Sequence, residues 1–396
     1  IDRRYPNRHT YDETVENDSF VQADSDLTQR NLKPSEIPLM SEGKIFPQNG
    51  KTLRVMPKET VTAEFLFDKI YAAYICIETD GAAEVSARFF ELPEQKNDED
   101  CYTLKFSSTA KFRSMRYKSV GGIELTVKND GDKAINISPY IIETCFPITE
   151  QGSFCCSDRE IDDVYNLCRH TLRICRQTIH LDSPRHQEPL ACTGDYLIET
   201  MMTAFTFGDM RLSRFDVKRT ADLLVQNDGV LFHTSYSLLW IQMLWAVYEF
   251  TADDGLLKYC LPALNALLSK FNSYIGQNGL IEYAPNYMFL DWLEVDGYTL
   301  HHPPKYLGQS ALCMFYYGAL KTAQSIYTVC GKEQTAKEIE IKAENLKTAI
   351  NNLLFDRYFG IYFDGLPTEN EVPENKWLPK NRASRHFSKH SNVLAA

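Results

Sequence analysis

Three carboxylates fall within fourteen residues of the segment LDSPRHQEPLACTGD, at Asp182, Glu188 and Asp195. Acidic side chains held this close repel one another unless they share a task. A pair whose pKa values are driven apart supplies one acid and one base at neutral pH. Pro184 and Pro189 each lack an N–H and bias the preceding residue towards extended backbone, so no helix runs through the segment. Gly194 permits close approach of backbone. A helix is expected to start near Thr193 or Asp195, where a short oxygen side chain caps it. The competing interpretation makes Asp182 and Asp195 helix caps and leaves Glu188 in solvent.

The chain around this loop changes character twice. Residues 1–50 are polar and irregular and end in a run punctuated by Pro34, Pro38 and Pro47. Residues 51–150 hold short runs rich in β-branched and aromatic side chains: VTAEFLF, AAYICIET, AAEVSARFFEL, YTLKFSS and IELTVKND. Turn signals at 79–81, 121–122 and 129–133 separate them. That pattern predicts an antiparallel β-sandwich. From 151 to 396 the period becomes helical. SDREIDDVYNLCRHTLRICRQTI sets Ile161, Val164, Tyr165, Cys168, Leu172 and Cys175 along one stripe. Further helical patterns follow the carboxylate loop, about eight in all, joined by short links. Sequential helices so joined pack as antiparallel hairpins, in bundles or α/α toroids.

Aromatic and acidic residues gather in the segments between these helices. Trp240 stands at the end of NDGVLFHTSYSLLW, and Asp291 and Trp292 sit in EYAPNYMFLDWLEVDGYTLHHPP. Rings suit the apolar faces of sugars, and carboxylates suit their hydroxyls. The alternative for Trp240 and Trp245, five apart in an apolar run, is the core.

Composition narrows the partners. The 396 residues carry 42 Lys plus Arg against 53 Asp plus Glu, a formal charge of −11. That balance argues against a nucleic-acid partner, which calls for a basic face. No apolar run reaches the ~18 residues of a membrane span. The eleven cysteines are odd in number and show no CxxC spacing. They read as free thiols of a reducing compartment, hence the cytoplasm. A chain that begins at Ile1 also allows a removed leader and a periplasmic or secreted protein. No metal site and no cofactor is implied.

The helical half resembles the α-L-rhamnosidases of glycoside hydrolase family 78, whose (α/α)6 barrel follows β-sandwich domains. The family segment D-C-P-x-R-x-E-R-x-G-W-x-G-D is matched at Asp182, Pro184, Glu188, Gly194 and Asp195. LDW at 290–292 is similar to the family's GDW, and GQSALCMFYYGAL and SKHSNVLAA resemble later barrel helices. The resemblance implies an inverting glycosidase releasing terminal α-L-rhamnose. Glu188 stands where the family keeps its general acid. Asp182 and Asp195 stand where it binds sugar hydroxyls, and Trp292 becomes a candidate wall around the sugar's methyl group. In such a mechanism a second carboxylate, about 6.5–9.5 Å from the first, activates water. The resemblance places that base beyond Ala396, so the barrel is expected to be incomplete here and hydrolysis by this chain alone weak or absent.

The chain departs from the family motif in its middle. Arg185 stands one place early, His186 fills the arginine slot, Pro189 replaces the next arginine, and Ala191–Cys192 replaces Gly-Trp. These changes leave a different deoxy-sugar or a uronate-linked target open. His180, Arg185 and His186 beside Glu188 also suit a polysaccharide lyase, which needs a base and a cation to neutralise a uronate. A carbohydrate-binding relative without activity is the third reading.

Overall fold

The computed structural model describes residues 9–12, 34–149, 152–187, 192–282, 289, 294–295, 298–299, 309–366 and 385–396. The chain forms two compact units, Ile1–Ile148 with Cys155–Gln187, and Thr149–Phe154 with Glu188–Ala396.

The first unit is built on a sheet. Its strands are β1 (His9–Asp12), β2 (Ser41–Ile45), β3 (Leu53–Val55), β4 (Thr60–Thr79), β5 (Ala83–Phe90), β6 (Cys101–Phe106), β7 (Ala110–Arg113), β8 (Lys118–Lys128) and β9 (Ile135–Cys145). Hydrogen bonds join them in the order β1-β6-β5-β8-β4-β9-β2, with β3 also on β9 and β7 also on β4. Every pairing is antiparallel except that of β1 with β6. The two runs VTAEFLF and AAYICIET are one strand, β4, whose register on β8 shifts between Leu66 and Tyr71. Phe65, Phe67, Tyr71, Ala73, Ile75 and Ile77 keep the two-residue period across that irregularity and enter one core with Val85, Leu104, Ile123 and Leu125. Beyond Ile70 the other face of β4 is buried as well, at Ala72 and Cys76.

Helix α1 (Arg159–Cys175) packs on β4 and β9. His170 Nε2–H donates to the Ile70 carbonyl at 2.6 Å, and Arg173 meets both carboxylate oxygens of Glu143. These contacts come from its second half alone. Leu172, Ile174 and Cys175 are buried, whereas Ile161, Val164 and Cys168 of the stripe read from the sequence are exposed. Periodicity identified the helix but not how much of its face the sheet covers.

The second unit holds helices α2 (Thr193–Thr206), α3 (Arg211–Gln226), α4 (Thr234–Thr251), α5 (Asp254–Asn272), α6 (Gln309–Val329), α7 (Glu333–Leu353) and α8 (Lys389–Ala395). Two-residue strands β10 (Glu294–Val295) with β11 (Tyr298–Thr299), and β12 (Phe355–Asp356) with β13 (Ile361–Tyr362), make small hairpins among them. Alternate helices are neighbours: α2 packs on α4, α4 on α6, α6 on α8, and α3 on α5. This is the signature of helical hairpins arrayed side by side, with one helix of each hairpin in an inner row. Burial says which. α7 buries the single stripe Ala336, Ile339, Ala343, Leu346 and Ile350, spaced by three and four, and so belongs outside. α4 and α6 bury most of their circumference, as inner helices must.

The outer helices are tied down by polar ends. Asp253 caps α5: its Oδ1 accepts from Leu256 N at 2.9 Å and its Oδ2 from Arg214 Nε of α3 at 2.7 Å. The Arg214 bond holds this carboxyl below the usual carboxylate range. Such a group stabilises the fold above the unfolded pKa of about 3.9, and the gain is lost as pH falls through the lower folded value. Asp253→Ala should therefore lower unfolding free energy at pH 7 by about 1 kcal/mol. The gap from the parent should shrink below about pH 4. A gap of constant size in denaturant titrations from pH 7 to pH 2.5 would contradict the assignment.

Candidate active site

The carboxylate loop begins from a buried anchor. Arg176 and Gln177, just past α1, are almost wholly inaccessible. Gln177 Nε2 donates to the carbonyls of Thr144 and Ile174, and Phe146 N donates to Arg176 O, so the segment is stitched to the end of β9. The Arg176 guanidinium lies 5.1 Å from the centre of the Phe146 ring. Leu181 N then returns to Cys175 O, which closes the turn and delivers Asp182 at its rim.

From Asp182 onwards the loop holds itself. Ser183 Oγ accepts from His186 N at 2.9 Å, and Ser183 O accepts from Gln187 N at 3.0 Å. Gln187 has a φ of +54°, a left-handed conformation that a non-glycine residue adopts only under local constraint. Its side-chain amide donates to Pro184 O and Tyr117 O. Two sequence-predicted residues come together: His186 Nδ1 lies 2.6 Å from Asp182 Oδ2. Arg185 instead turns to the sheet, 3.5 Å from both Glu91 Oε2 and Asp100 Oδ2. Lys118 of β8 is nearby; burial pulls its ammonium pKa down, and Asp100 opposes that pull.

Asp195 belongs to the second unit, in the first turn of α2, where the helix dipole favours a carboxylate. The expected cap is absent. The N-cap is Cys192 and makes no side-chain cap bond. Thr193 already lies inside the helix, and its hydroxyl donates to the carbonyl of Tyr236 in α4. Gly194 is required by the same contact: a Cβ there would stand 2.5 Å from the Tyr236 ring. Tyr236 in turn packs with His233 and Phe289, at centroid distances of 5.0 and 5.3 Å. Ser235 Oγ donates to Phe289 O, which ties Phe289 to the N-terminus of α4. His233 and Tyr236 went unmarked in the sequence reading. Their signal was an aromatic and imidazole pair, FHTSY, directly before an apolar helix.

Trp240 is corrected by the structure. It has no exposed surface, and its Nε1–H donates to Val217 O at 3.1 Å. It is core of the inner helix α4 and offers no surface to a ligand. Glu188, Asp291 and Trp292 lie outside the described residues. Among the described residues no group of three or more His, Cys, Asp or Glu side chains is placed to hold a metal ion.

Residues 149–373 match the family model of the bacterial α-L-rhamnosidase six-hairpin glycosidase domain. The chain belongs to that family. The GH78 family rhamnosidase of Bacillus sp. GL1 superposes with a TM-score of 0.69 at 19% identity, covering 80% of this chain and 34% of that one. The Klebsiella oxytoca rhamnosidase with rhamnose bound gives 0.66 at 15% identity, covering 83% and 74%. The Streptomyces avermitilis α-L-rhamnosidase complexed with L-rhamnose gives 0.57 at 13% identity, covering 77% and 31%. At these identities the likeness is one of fold, and the chain spans about a third of the Bacillus and Streptomyces proteins. No curated protein sequence matches it. The family's hairpins account for the rows of helices, and α1, inside the matched range, packs on the sheet of the first unit.

Burial of Trp240 makes a direct prediction. Trp240→Ala should cost about 3–5 kcal/mol of stability. This is read as a shift of the denaturant midpoint. Loss of sugar binding with an unmoved midpoint would return Trp240 to the ligand.

Proposed function

We propose that this six-hairpin family member is part of an inverting glycoside hydrolase that releases terminal α-L-rhamnose from glycosides or polysaccharides. Glu188 protonates the departing glycosidic oxygen while a second carboxylate draws a proton from water on the opposite face of the ring. Asp182 and Asp195 bind sugar hydroxyls, and their charge disfavours ionisation of Glu188, keeping it an acid at neutral pH. His186, Asp291 and Trp292 complete the sugar's surroundings, while Arg185 is held on Glu91 and Asp100 of the sheet unit.

The observation that carries this reading is the family match over residues 149–373, which includes the loop that the anchor at Arg176 and Gln177 holds in place. The rhamnose named in the Klebsiella and Streptomyces structures supports the sugar.

The test uses the protein at its natural length with an aryl α-L-rhamnoside. Glu188→Gln should reduce phenol release by about 10²–10⁴-fold with an unchanged circular dichroism spectrum. Proton NMR of the first product should show β-L-rhamnose. A parent rate in the variant would remove Glu188 from the mechanism, α-L-rhamnose first would mean retention, and rhamnoside binding without turnover in the parent would leave a binding protein.

A further inference from the structure

Helices α4 and α6 share a cavity of about 570 Å³ along their later halves. Its lining includes Trp245 from α4 and Lys321, Thr322, Gln324, Ser325 and Thr328 from α6. Among the described residues no carboxylate lines it, in a chain whose formal charge is −11. Trp245 lies nine residues beyond Tyr236, about 13 Å further along α4. The cavity is therefore well removed from the helix N-termini that carry Asp195 and pack around Tyr236.

Local bonds give each of these side chains a defined polarity. Thr322 Oγ1 donates to Gly318 O at 3.0 Å, Ser325 Oγ to Lys321 O at 3.5 Å and Thr328 Oγ1 to Gln324 O at 2.9 Å. Their hydrogens are spent on their own helix, so the three oxygens are left as acceptors. Lys321 Nζ donates to Gln324 Oε1 at 2.9 Å. The ammonium keeps two further hydrogens, and the Gln324 amide nitrogen is a donor. Trp245 is half-buried and packs on Tyr248 with ring centres 5.2 Å apart, which holds the indole still while part of it stays accessible. An aromatic ring takes the C–H face of a pyranose, and hydroxyl oxygens accept from its hydroxyls. An ammonium bonds a carboxylate about twice as strongly as it would a neutral group.

We propose that this cavity is a second saccharide site, separate from the carboxylate loop, and that it takes an acidic pyranose, a hexuronate unit of a glycan. The sugar ring lies on Trp245, its carboxylate meets Lys321 and the Gln324 amide, and its hydroxyls donate to Thr322, Ser325 and Thr328. A neutral sugar would leave the ammonium without an opposite charge, and a bare inorganic anion would leave the indole unused. The size suits one or two sugar units, since small-ligand sites run to about 300–1,000 Å³. The site's place in a hydrolase rests on the proposed function; its binding chemistry does not. In that setting it holds an acidic polysaccharide by a unit remote from the bond being cut.

The experiment is calorimetric titration of the protein at its natural length with D-glucuronate, D-glucose and inorganic phosphate, each at pH 7. Glucuronate is expected to bind about fivefold more tightly than glucose. Lys321→Met keeps the apolar stem and should bring the two sugars level. Trp245→Ala should weaken glucuronate about tenfold. Hydrolysis of an aryl α-L-rhamnoside should be unchanged in both variants, which also shows that they fold. Binding of glucuronate no tighter than glucose, phosphate binding as tight as glucuronate, or glucuronate affinity untouched by Lys321→Met would each overturn the proposal. So would acrylamide that fails to quench any fluorescence lost in Trp245→Ala, because the cavity would then be closed to solutes. Those results leave rhamnoside hydrolysis standing. Absent hydrolysis with selective glucuronate binding would remove the rhamnosidase reading and keep this site.

Discussion

A buried amide, the side chain of Gln177, fixes where the carboxylate loop starts. It bonds the Thr144 carbonyl at the end of β9 and the Ile174 carbonyl at the end of α1. Helix, strand and loop thus share one polar group with almost no access to water. Loss of such a bond in the interior leaves carbonyls that no solvent reaches, at about 1–3 kcal/mol each. Arg176 strengthens the junction by lying against Phe146. Everything between Leu181 and Gln187 is hung from this point, so the sheet unit is a mount for Asp182 and His186 as well as a neighbour in sequence.

The second unit solves a different problem, how to present helix N-termini in a row. Thr193, Gly194 and Tyr236 bring the first turns of α2 and α4 together at a distance that no larger residue than glycine would allow. The polar residues at the start of these helices, Thr193, Thr234 and Ser235, are buried in that contact, and the body of each helix is core. Asp195 lies in the first turn of α2, and Trp240 lies in the buried body of α4.

Much of this was legible in the sequence because local signals and tertiary demands agree. The prolines and Gly194 marked the loop and the start of α2, and turn residues marked the sheet. The misreadings have tertiary causes. Trp240 looked like a loop-end aromatic because its helix starts at Thr234, and an apolar run does not say which of its rings faces in. The cap of α2 was misplaced by one residue: Cys192 is the N-cap, and Thr193 is already helical with its hydroxyl on the carbonyl of Tyr236. The stripe on α1 is real, but only the sheet decides that its first half stays uncovered. His233 and Tyr236 matter through Phe289, a contact that no spacing rule predicts.

The near-complete burial of α4 has a consequence for the life of the chain before it is folded. Two of the helices that cover α4, α2 and α6, lie on either side of it in sequence, and α6 begins only at Gln309. During synthesis α4 therefore leaves the ribosome with part of its cover more than fifty residues from being made. At translation speeds of about 5–20 residues per second, that interval lasts several seconds. An apolar helix waiting that long in a crowded cell is open to chaperones and to self-association for as long as residues 252–308 take to translate.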